Sequence, residues 1–359
     1  MIPVTILTGF LGSGKTTLLK RILSEKHGMK IAVIENEFGE ENIDNEILVQ
    51  NEAEQIVQMS NGCICCTIRG DLARALGDLA ERKRSGEISF DRVVIETTGL
   101  ANPGPVAQTF FIDSQIADEF MLDAIITLVD AKHADAQLDE HEVVQRQVGF
   151  ADRLFITKAD LVDEAALGDL RHRLVHMNPK ATIKTVNFGD ADIKEIFDLR
   201  GFNLNAKLEI DPDFLAEDDH EHHDHDHDHD GHDHAHCDHD HGQCEHDGHE
   251  HGHHHHHAHH DDRIKSFVYR NDRPFDPNKL EDFLGGVLQI YGERLLRYKG
   301  VLYMKGVDRK VVFQGVHQMM GSDLAAKWLP AEKKTNKMVF IGIDLPQDLI
   351  TDGLDACLA

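Results

Sequence analysis

Residues 9–16, GFLGSGKT, decide the fold of the amino-terminal part of this chain. They match the phosphate-binding pattern GxxxxGK[ST], directly after the apolar run at 4–7 and directly before a helical pattern at 16–23. In such a loop backbone N–H groups turn towards phosphate, Lys15 reaches the β- and γ-phosphates, and the Thr16 hydroxyl binds Mg2+. A glycine-rich turn without a ligand is the alternative. The predicted nucleotide-binding residues are Gly9, Gly12, Ser13, Gly14, Lys15, Thr16 and Thr17.

Short apolar runs recur through the first two hundred residues and predict buried strands at 4–7, 31–34, 92–95, 124–129 and 154–156. Helical patterns lie between several of them, at 16–23 and 71–82 among others. Strands that alternate with helices predict an α/β fold with a mostly parallel sheet covered on both faces. In such a sheet ligands bind at the carboxyl ends of the strands, where the motifs fall.

A second motif, ETTG at residues 96–99, ends the apolar run at 92–95. An acid at this place holds Mg2+ through water, and the amide of Gly99 bonds the γ-phosphate. We therefore predict Thr16 and Glu96 as the magnesium pair, and Lys15, Thr16 and Glu96 as the catalytic residues. A strand that ends in a turn explains these four residues equally well, so the motif gains weight from its order after the phosphate loop.

A third motif, TKAD at residues 157–160, is a variant of the guanine motif [NT]KxD. A carboxylate at Asp160 accepts from N1–H and the N2 amino group of guanine, whereas adenine would leave that charge unpaired. Lys158 would lie along the base plane, and Thr157 replaces the more usual Asn. A solvated helix cap is the alternative for the motif alone, but its position as the third in order favours GTP.

Three thiols, Cys63, Cys65 and Cys66, stand within residues 62–67, GCICCT. Thiolates are soft ligands that suit Zn2+ or Cu(I), and the neighbouring sequence lacks a second CxxC or a His pair to complete a closed four-ligand zinc site. We therefore predict a metal that can be handed on, with Glu37 as a candidate fourth ligand. A solvated acidic loop explains Glu37 equally well, and small buried hydrophobes are the alternative for the cysteines. Zn2+ fits these ligands, and Co2+ and Ni2+ are also tolerated.

The motifs GFLGSGKT, ENEFGE, GCICC, ETTGLANP and TKAD, in this order, resemble the CobW family of P-loop GTPases, which are cytosolic metal chaperones or insertases. RYKG at 297–300 and Trp328 extend the resemblance to the carboxyl-terminal part. The resemblance implies a Ras-like GTPase domain joined to a CobW carboxyl-terminal domain, slow intrinsic GTP hydrolysis, and transfer of Zn2+ or Co2+ to a client metalloenzyme. It also implies Glu37 and Cys66 as metal ligands.

The acidic balance of the 359 residues, 64 Asp and Glu against 37 Lys and Arg, argues against nucleic acid or an anionic membrane as a partner. Residues 217–262 alone hold 21 of the 27 His and 16 acids, with no Lys or Arg. Because they contain almost no apolar side chain, we predict a disordered His/Asp-rich linker at 211–262. It separates a GTPase domain at 1–210 from a small α+β domain at 263–359.

The tract from His220 to His260 interleaves imidazole with carboxylate and predicts several weak, exchanging metal sites. It is internal and mixed with Asp, unlike an expression tag, so a solvated spacer is the remaining alternative. Tethered beside the cysteines, the tract would raise the local supply of metal.

The carboxyl-terminal part shows its own pattern of elements. Asp276 and Pro277 predict the start of a helix whose apolar stripe runs from Leu280 to Tyr291. Strands are predicted at 267–269, 301–304, 310–313 and 338–341, and a final helix at 347–358.

Six cysteines are too few and too bunched for a disulfide scaffold, and the start lacks the pattern of a signal peptide. We therefore expect a cytoplasmic protein.

The leading hypothesis is a GTP-hydrolysing metallochaperone whose nucleotide state sets its metal affinity. The rival is a passive His-rich zinc-storage protein with a scaffold nucleotide domain, and a P-loop kinase for a small molecule is disfavoured by TKAD and the cysteines. The client, the physiological metal and the oligomeric state, including a homodimer, stay open.

Overall fold

The computed structural model describes residues 1–36, 55–59, 68–199, 201–202, 262–330 and 332–359. Within these ranges the chain forms a seven-stranded parallel sheet followed by a five-stranded antiparallel sheet. The predicted α/β and α+β architecture is therefore confirmed. No helix in the same ranges is long and apolar enough to cross a membrane. The predicted limits of the domains and of the linker stay predictions, because most of residues 211–262 lie outside the described parts.

The parallel sheet has the strand order β3-β2-β4-β1-β5-β6-β7. Its central strands are buried along nearly their whole length because helices cover both faces. The apolar runs of the sequence fall inside five of the strands, and the chain crosses from one half of the sheet to the other between β4 and β5. The strands are β1 (Ile2–Gly9), β2 (Ile31–Asn36), β3 (Gln55–Met59), β4 (Arg92–Glu96), β5 (Phe120–Asp130), β6 (Arg153–Thr157) and β7 (Thr182–Thr185).

The helices of this domain begin at local signals in the sequence. Asn102 accepts from the backbone N–H of Gly104 at 3.0 Å, and Pro103 follows it in the first helical turn, where it needs no hydrogen-bond partner for its nitrogen. Asp163 caps a later helix in the same way. The helices are α1 (Lys15–Ser24), α2 (Ile68–Arg84), α3 (Pro103–Ile112), α4 (Ser114–Glu119), α5 (Ala134–Glu140), α6 (Glu142–Phe150) and α7 (Glu164–Met177).

The antiparallel sheet has the strand order β11-β10-β9-β12-β8 and carries two helices on one face. Asp276 accepts from the N–H groups of Asn278 and Lys279, so the helix cap predicted there is confirmed. The strands are β8 (Ile264–Asn271), β9 (Leu295–Leu302), β10 (Arg309–Val316), β11 (Met319–Lys327) and β12 (Asn336–Ile343), and the helices are α8 (Pro277–Tyr291) and α9 (Gln347–Ala356).

Two strands of this sheet differ from the prediction. The strand expected at 301–304 begins earlier, at Leu295, because β9 is the central strand and is buried at every position. β11 was not predicted because it is an edge strand with mostly exposed residues and no alternating apolar pattern. The strands predicted at 267–269, 310–313 and 338–341 are confirmed.

The second face of the antiparallel sheet packs on the first domain. Ile264, Leu296 and Ile341 belong to the same apolar core as residues of the parallel sheet and α6. A buried ion pair crosses this junction, in which the Arg297 guanidinium donates to Asp152 Oδ1 at 2.6 Å. Because the two sheets share one core, the second domain packs directly on the first.

Candidate nucleotide site

The phosphate loop leaves the end of β1 in a conformation that glycine permits. Gly9, Gly12 and Gly14 have φ angles of 139°, 75° and 96°. A Cβ at Gly9 would lie 2.4 Å from the carbonyl oxygen of Leu128, so no side chain fits between the loop and β5. α1 begins directly after Gly14, which presents the first backbone N–H groups of the helix to this loop.

Lys15 is a buried cation at the centre of this loop. Its Nζ donates to the carbonyl oxygens of Gly9 at 2.9 Å and Phe10 at 3.1 Å. Burial lowers the pKa of this ammonium, and the nearby charge of Glu96 only partly offsets the effect. Among the described residues no carboxylate lies within ion-pair distance of Lys15. A cation held in this way is suited to a polyanionic ligand such as a nucleotide phosphate.

Thr16 and Glu96, the predicted magnesium pair, meet across the sheet edge. The Thr16 hydroxyl donates to Glu96 Oε1 at 3.1 Å. The end of β4 is fixed next to β1 because the buried Thr97 hydroxyl donates to Thr8 Oγ1 at 2.8 Å. A hydroxyl and a carboxylate are both hard oxygen ligands, so this donor pair fits Mg2+.

Two further groups fit a phosphate at this edge. The hydroxyls of Ser13 and Thr98 are buried and have no hydrogen-bond partner among the described residues. Such hydroxyls cost about 1–3 kcal/mol when left unsatisfied, and phosphate oxygens are acceptors for them. A Cβ at Gly99 would lie 2.5 Å from the backbone nitrogen of Leu11, so the loop after β4 touches the phosphate loop directly.

The TKAD motif begins at Thr157, the last residue of β6, and its residues have different environments. The Thr157 hydroxyl donates to the backbone oxygen of Ser13 at 2.9 Å, so Thr157 ties β6 to the phosphate loop. Lys158 adopts a left-handed φ of 56° and donates to Asp130 Oδ2 at 2.6 Å. Asp160 is exposed, in the short 3-10 helix Ala159–Leu161, where its carboxylate is accessible to a base.

Asp130 is a site residue that the sequence prediction did not include. It ends β5, is 2% exposed, and pairs with Lys158 and His133. Although burial raises its pKa, hydrogen bonds from Lys158, His133 and the Lys132 backbone hold the pKa below its ordinary value. It therefore fixes the direction of Lys158. An acid directly after the apolar run at 124–129 was the signal that could have indicated it.

Gln147 is a second residue that the sequence did not reveal. It is fully buried on α6, and its Nε2 donates to the carbonyl oxygens of Gly99 and Ala101, both at 3.1 Å. It thus holds the loop that follows the strand-end acid. No spacing or motif marks a lone Gln inside a helix, so only the structure shows this contact.

The predicted metal ligands Glu37, Cys63, Cys65 and Cys66 lie outside the described residues, as does the tract from His220 to His260. Within the described parts no group of three or more His, Cys, Asp or Glu residues is placed to hold a metal ion. The zinc ligands therefore stay predictions.

The ends of β1, β4, β5 and β6 gather a phosphate loop, a strand-end acid and a base-reading motif at one sheet edge. This arrangement defines a nucleotide-hydrolysing P-loop protein with a second, antiparallel domain.

Comparison with known proteins agrees with this class. The nucleotide-binding domain of the CobW/HypB/UreG proteins matches residues 3–185, and the carboxyl-terminal domain of the cobalamin synthesis protein CobW matches residues 264–358. The chain is 39% identical over 350 residues to the zinc chaperone YjiA of Escherichia coli, covering 97% of this chain and 96% of that protein. The chain belongs to the CobW family of P-loop GTPases, in its zinc-chaperone group, and is a GTPase.

The crystal structure of YjiA and a second relative show how far the similarity extends. The crystal structure of the Zn(II)-bound YjiA GTPase from E. coli matches with a TM-score of 0.73 at 35% identity, covering 100% of this chain and 99% of that chain. The zinc-regulated GTPase metalloprotein activator 1 of Schizosaccharomyces pombe is 40% identical over 208 residues, which cover 56% of this chain and 50% of that protein. The fold and both domains are thus shared with a full-length relative.

Proposed function

We propose that this GTPase is a metallochaperone that binds Zn2+ at Cys63, Cys65 and Cys66, with Glu37 as a further ligand, and transfers it to a client metalloenzyme. The observation that carries the proposal is the position of two strand ends. β2 ends at Asn36 and β3 at Met59, and these residues pair at the same sheet edge as the contact between Thr16 and Glu96. The segments with Glu37 and the cysteines begin directly after these ends.

The names of the relatives support the metal and the client. One relative, YjiA, is called a zinc chaperone and has a Zn(II)-bound crystal structure, and another is called a zinc-regulated GTPase metalloprotein activator. Cysteine thiolates with one carboxylate suit Zn2+, and Co2+ and Ni2+ are also tolerated by such a set. Three or four protein ligands on segments that adjoin the nucleotide edge suit an ion that is released when the nucleotide changes.

In the hydrolysis step the chain's own groups bind and orient GTP. Lys15 and the first N–H groups of α1 hold the phosphates, and Asp160 accepts from guanine while Lys158, fixed by Asp130, lies along the base. Thr16 and Glu96 would hold Mg2+, which supplies positive charge to the phosphate oxygens. Gln147 keeps the Gly99 loop in place. We expect slow turnover alone, raised by the client.

The test of the proposal is reciprocity between nucleotide and metal. If a GTP analogue changes the metal affinity by a factor, the metal must change the affinity for the analogue by the same factor. Co2+ bound by thiolates gives a charge-transfer band that reports only on cysteines, so the abundant imidazoles do not contribute to the signal. The protein should carry Cys237→Ser and Cys244→Ser, which leaves the predicted site and buried Cys357.

We expect the band to titrate at different Co2+ concentrations with the GTP analogue and with GDP, to weaken in Cys66→Ala, and to disappear when Cys63, Cys65 and Cys66 are all replaced by Ala. Cys357→Ala serves as the matched control and should leave the band unchanged. Identical titrations in both nucleotide states would contradict the coupling between nucleotide and metal binding. They would favour the alternative of a metal-storing protein. A band that persists when all three cysteines are replaced would refute the assigned site.

A further inference from the structure

Two of the six histidines outside the tract stand one helical turn apart on α7. His172 and His176 are both exposed, and their ring centroids are 4.3 Å apart at an interplanar angle of 42°. Residues at i and i+4 project from the same side of a helix. Two imidazoles this close can bind one metal ion at the usual Zn–N distance of about 2.0–2.1 Å.

The hydrogen bond of His176 determines which of its two ring nitrogens can bind a metal ion. His176 Nδ1 lies 3.1 Å from the backbone oxygen of His172. A carbonyl oxygen only accepts, so Nδ1 carries the proton and the lone pair for a metal lies on Nε2. Metal-binding histidines commonly donate their second ring N–H to a carbonyl in this way.

The charges around this turn favour a cation. Arg173, between the two histidines in sequence, is nearly buried and forms ion pairs with Asp135, Asp139 and Asp262. One positive charge against three negative charges leaves the group anionic. The side chains of Asp135 and Asp139 are about half exposed, so their field reaches the surface of α7.

The same ion pair brings the His-rich tract to α7. The Arg173 guanidinium donates to both carboxylate oxygens of Asp262, at 3.0 and 2.7 Å. Asp262 follows the last histidine of the tract, His260, by two residues. The tract is therefore joined to the folded chain beside the pair of exposed imidazoles.

We propose that His172 and His176 form a two-imidazole site for a borderline divalent cation, best Zn2+, that receives the ion from the His-rich tract. The described residues place no third His, Cys, Asp or Glu with the pair, so water completes the coordination. Two fixed ligands give a weak site from which the ion leaves readily. The proposed site uses no residue of the cysteine motif and none of the nucleotide-binding residues.

The test needs a reading of each histidine, because the tract dominates any measurement of total metal. Modification of the full chain by diethyl pyrocarbonate, mapped by mass spectrometry, reports on His172 and His176 individually. Zn2+ is added in steps, and Mg2+, which avoids imidazole, serves as the control ion. The variants are His172→Ala, His176→Ala and, as the matched control on the same turn, Val175→Ala.

We expect Zn2+ to protect both histidines together and Mg2+ to protect neither. Because a lost second-sphere partner already costs 10–100-fold in affinity, the Zn2+ needed to protect His172 should rise at least about tenfold in His176→Ala. Val175→Ala should behave like the parent protein, which shows that α7 is intact. Equal modification of His172 with and without Zn2+, or protection unchanged in His176→Ala, would overturn the site. Neither result bears on the cysteine motif, so the proposed function is judged separately.

Discussion

The phosphate loop and the domain junction each bury a cation, but the two cations differ in how their charge is compensated. Among the described residues, Lys15 in the loop donates to two neutral carbonyl oxygens and to no carboxylate, and burial lowers its pKa. Arg297 at the junction is paired with a buried carboxylate and donates to the backbone oxygens of Phe150 and Gly201. A buried charge costs free energy unless it is compensated. The fully paired cation therefore stabilises the fold, whereas the cation that Glu96 only partly compensates is suited to bind an anion.

The strongest test of this contrast is Arg297→Ala. It leaves Asp152, 2% exposed in its side chain, without its guanidinium, and breaking one partner of a buried pair costs about 3–5 kcal/mol. We expect that loss in the free energy of unfolding, measured by urea denaturation. Asp152→Ala combined with Arg297→Ala should cost less than the sum of the single changes. A loss below about 1 kcal/mol would mean that the junction is not held by this pair.

Lys15→Met should lower GTP turnover without lowering stability, in contrast to Arg297→Ala. Without the cation at the phosphates we expect GTP turnover to fall at least about 100-fold, the usual cost of losing one group that stabilises transition-state charge. The free energy of unfolding without nucleotide should stay equal or rise, because a penalised charge has been removed. A loss of stability like that of Arg297→Ala would refute a binding role for the buried cation.

The pH dependence of the same variant gives an independent check. The folded-state pKa of Lys15 is lowered from 10.5, so at neutral pH the folded state carries a charge that burial disfavours. As pH rises through the lowered pKa towards 10.5, the ammonium loses its proton and the penalty disappears. Any advantage of Lys15→Met over the parent protein should therefore shrink with rising pH. If the stability advantage of Lys15→Met grew with pH, the pKa of Lys15 would not be lowered in the folded state.

The two regions also differ in how far the sequence predicts them. The phosphate loop is contiguous, and its partner Glu96 ends an apolar strand, so local pattern located the pair that the structure brings within 3.1 Å. The junction joins residues 145 positions apart, and neither Asp152 nor Arg297 stands in a pattern that pairs them. Only tertiary packing creates that contact. The same holds for Gln147, whose two acceptors lie more than forty residues earlier.

Helix α6 lies between the two regions and allows a finer comparison. Gln147 holds the Gly99 loop, while Gln145 on the same helix donates to Leu138 and accepts from the N–H of Ile264 in the second domain. The loss of two hydrogen bonds at about 1 kcal/mol each corresponds to about a tenfold or larger change in a rate. We expect Gln147→Leu to lower GTP turnover about tenfold, and Gln145→Leu to lower stability with little change in turnover. Equal turnover losses would show that α6 acts on the site only through general packing.

The smallest effect should come from an exposed cation that is also compensated. Arg21 pairs with Glu25 at 2.9 Å and Asp190 at 3.0 Å, but its side chain is 48% exposed. Water already solvates such a charge, so pairing adds little, typically below 1 kcal/mol. We expect Arg21→Ala to lower the free energy of unfolding by less than about 1 kcal/mol, and less still at high salt. A loss approaching that of Arg297→Ala would mean that the number of carboxylates, rather than burial, decides what a cation contributes.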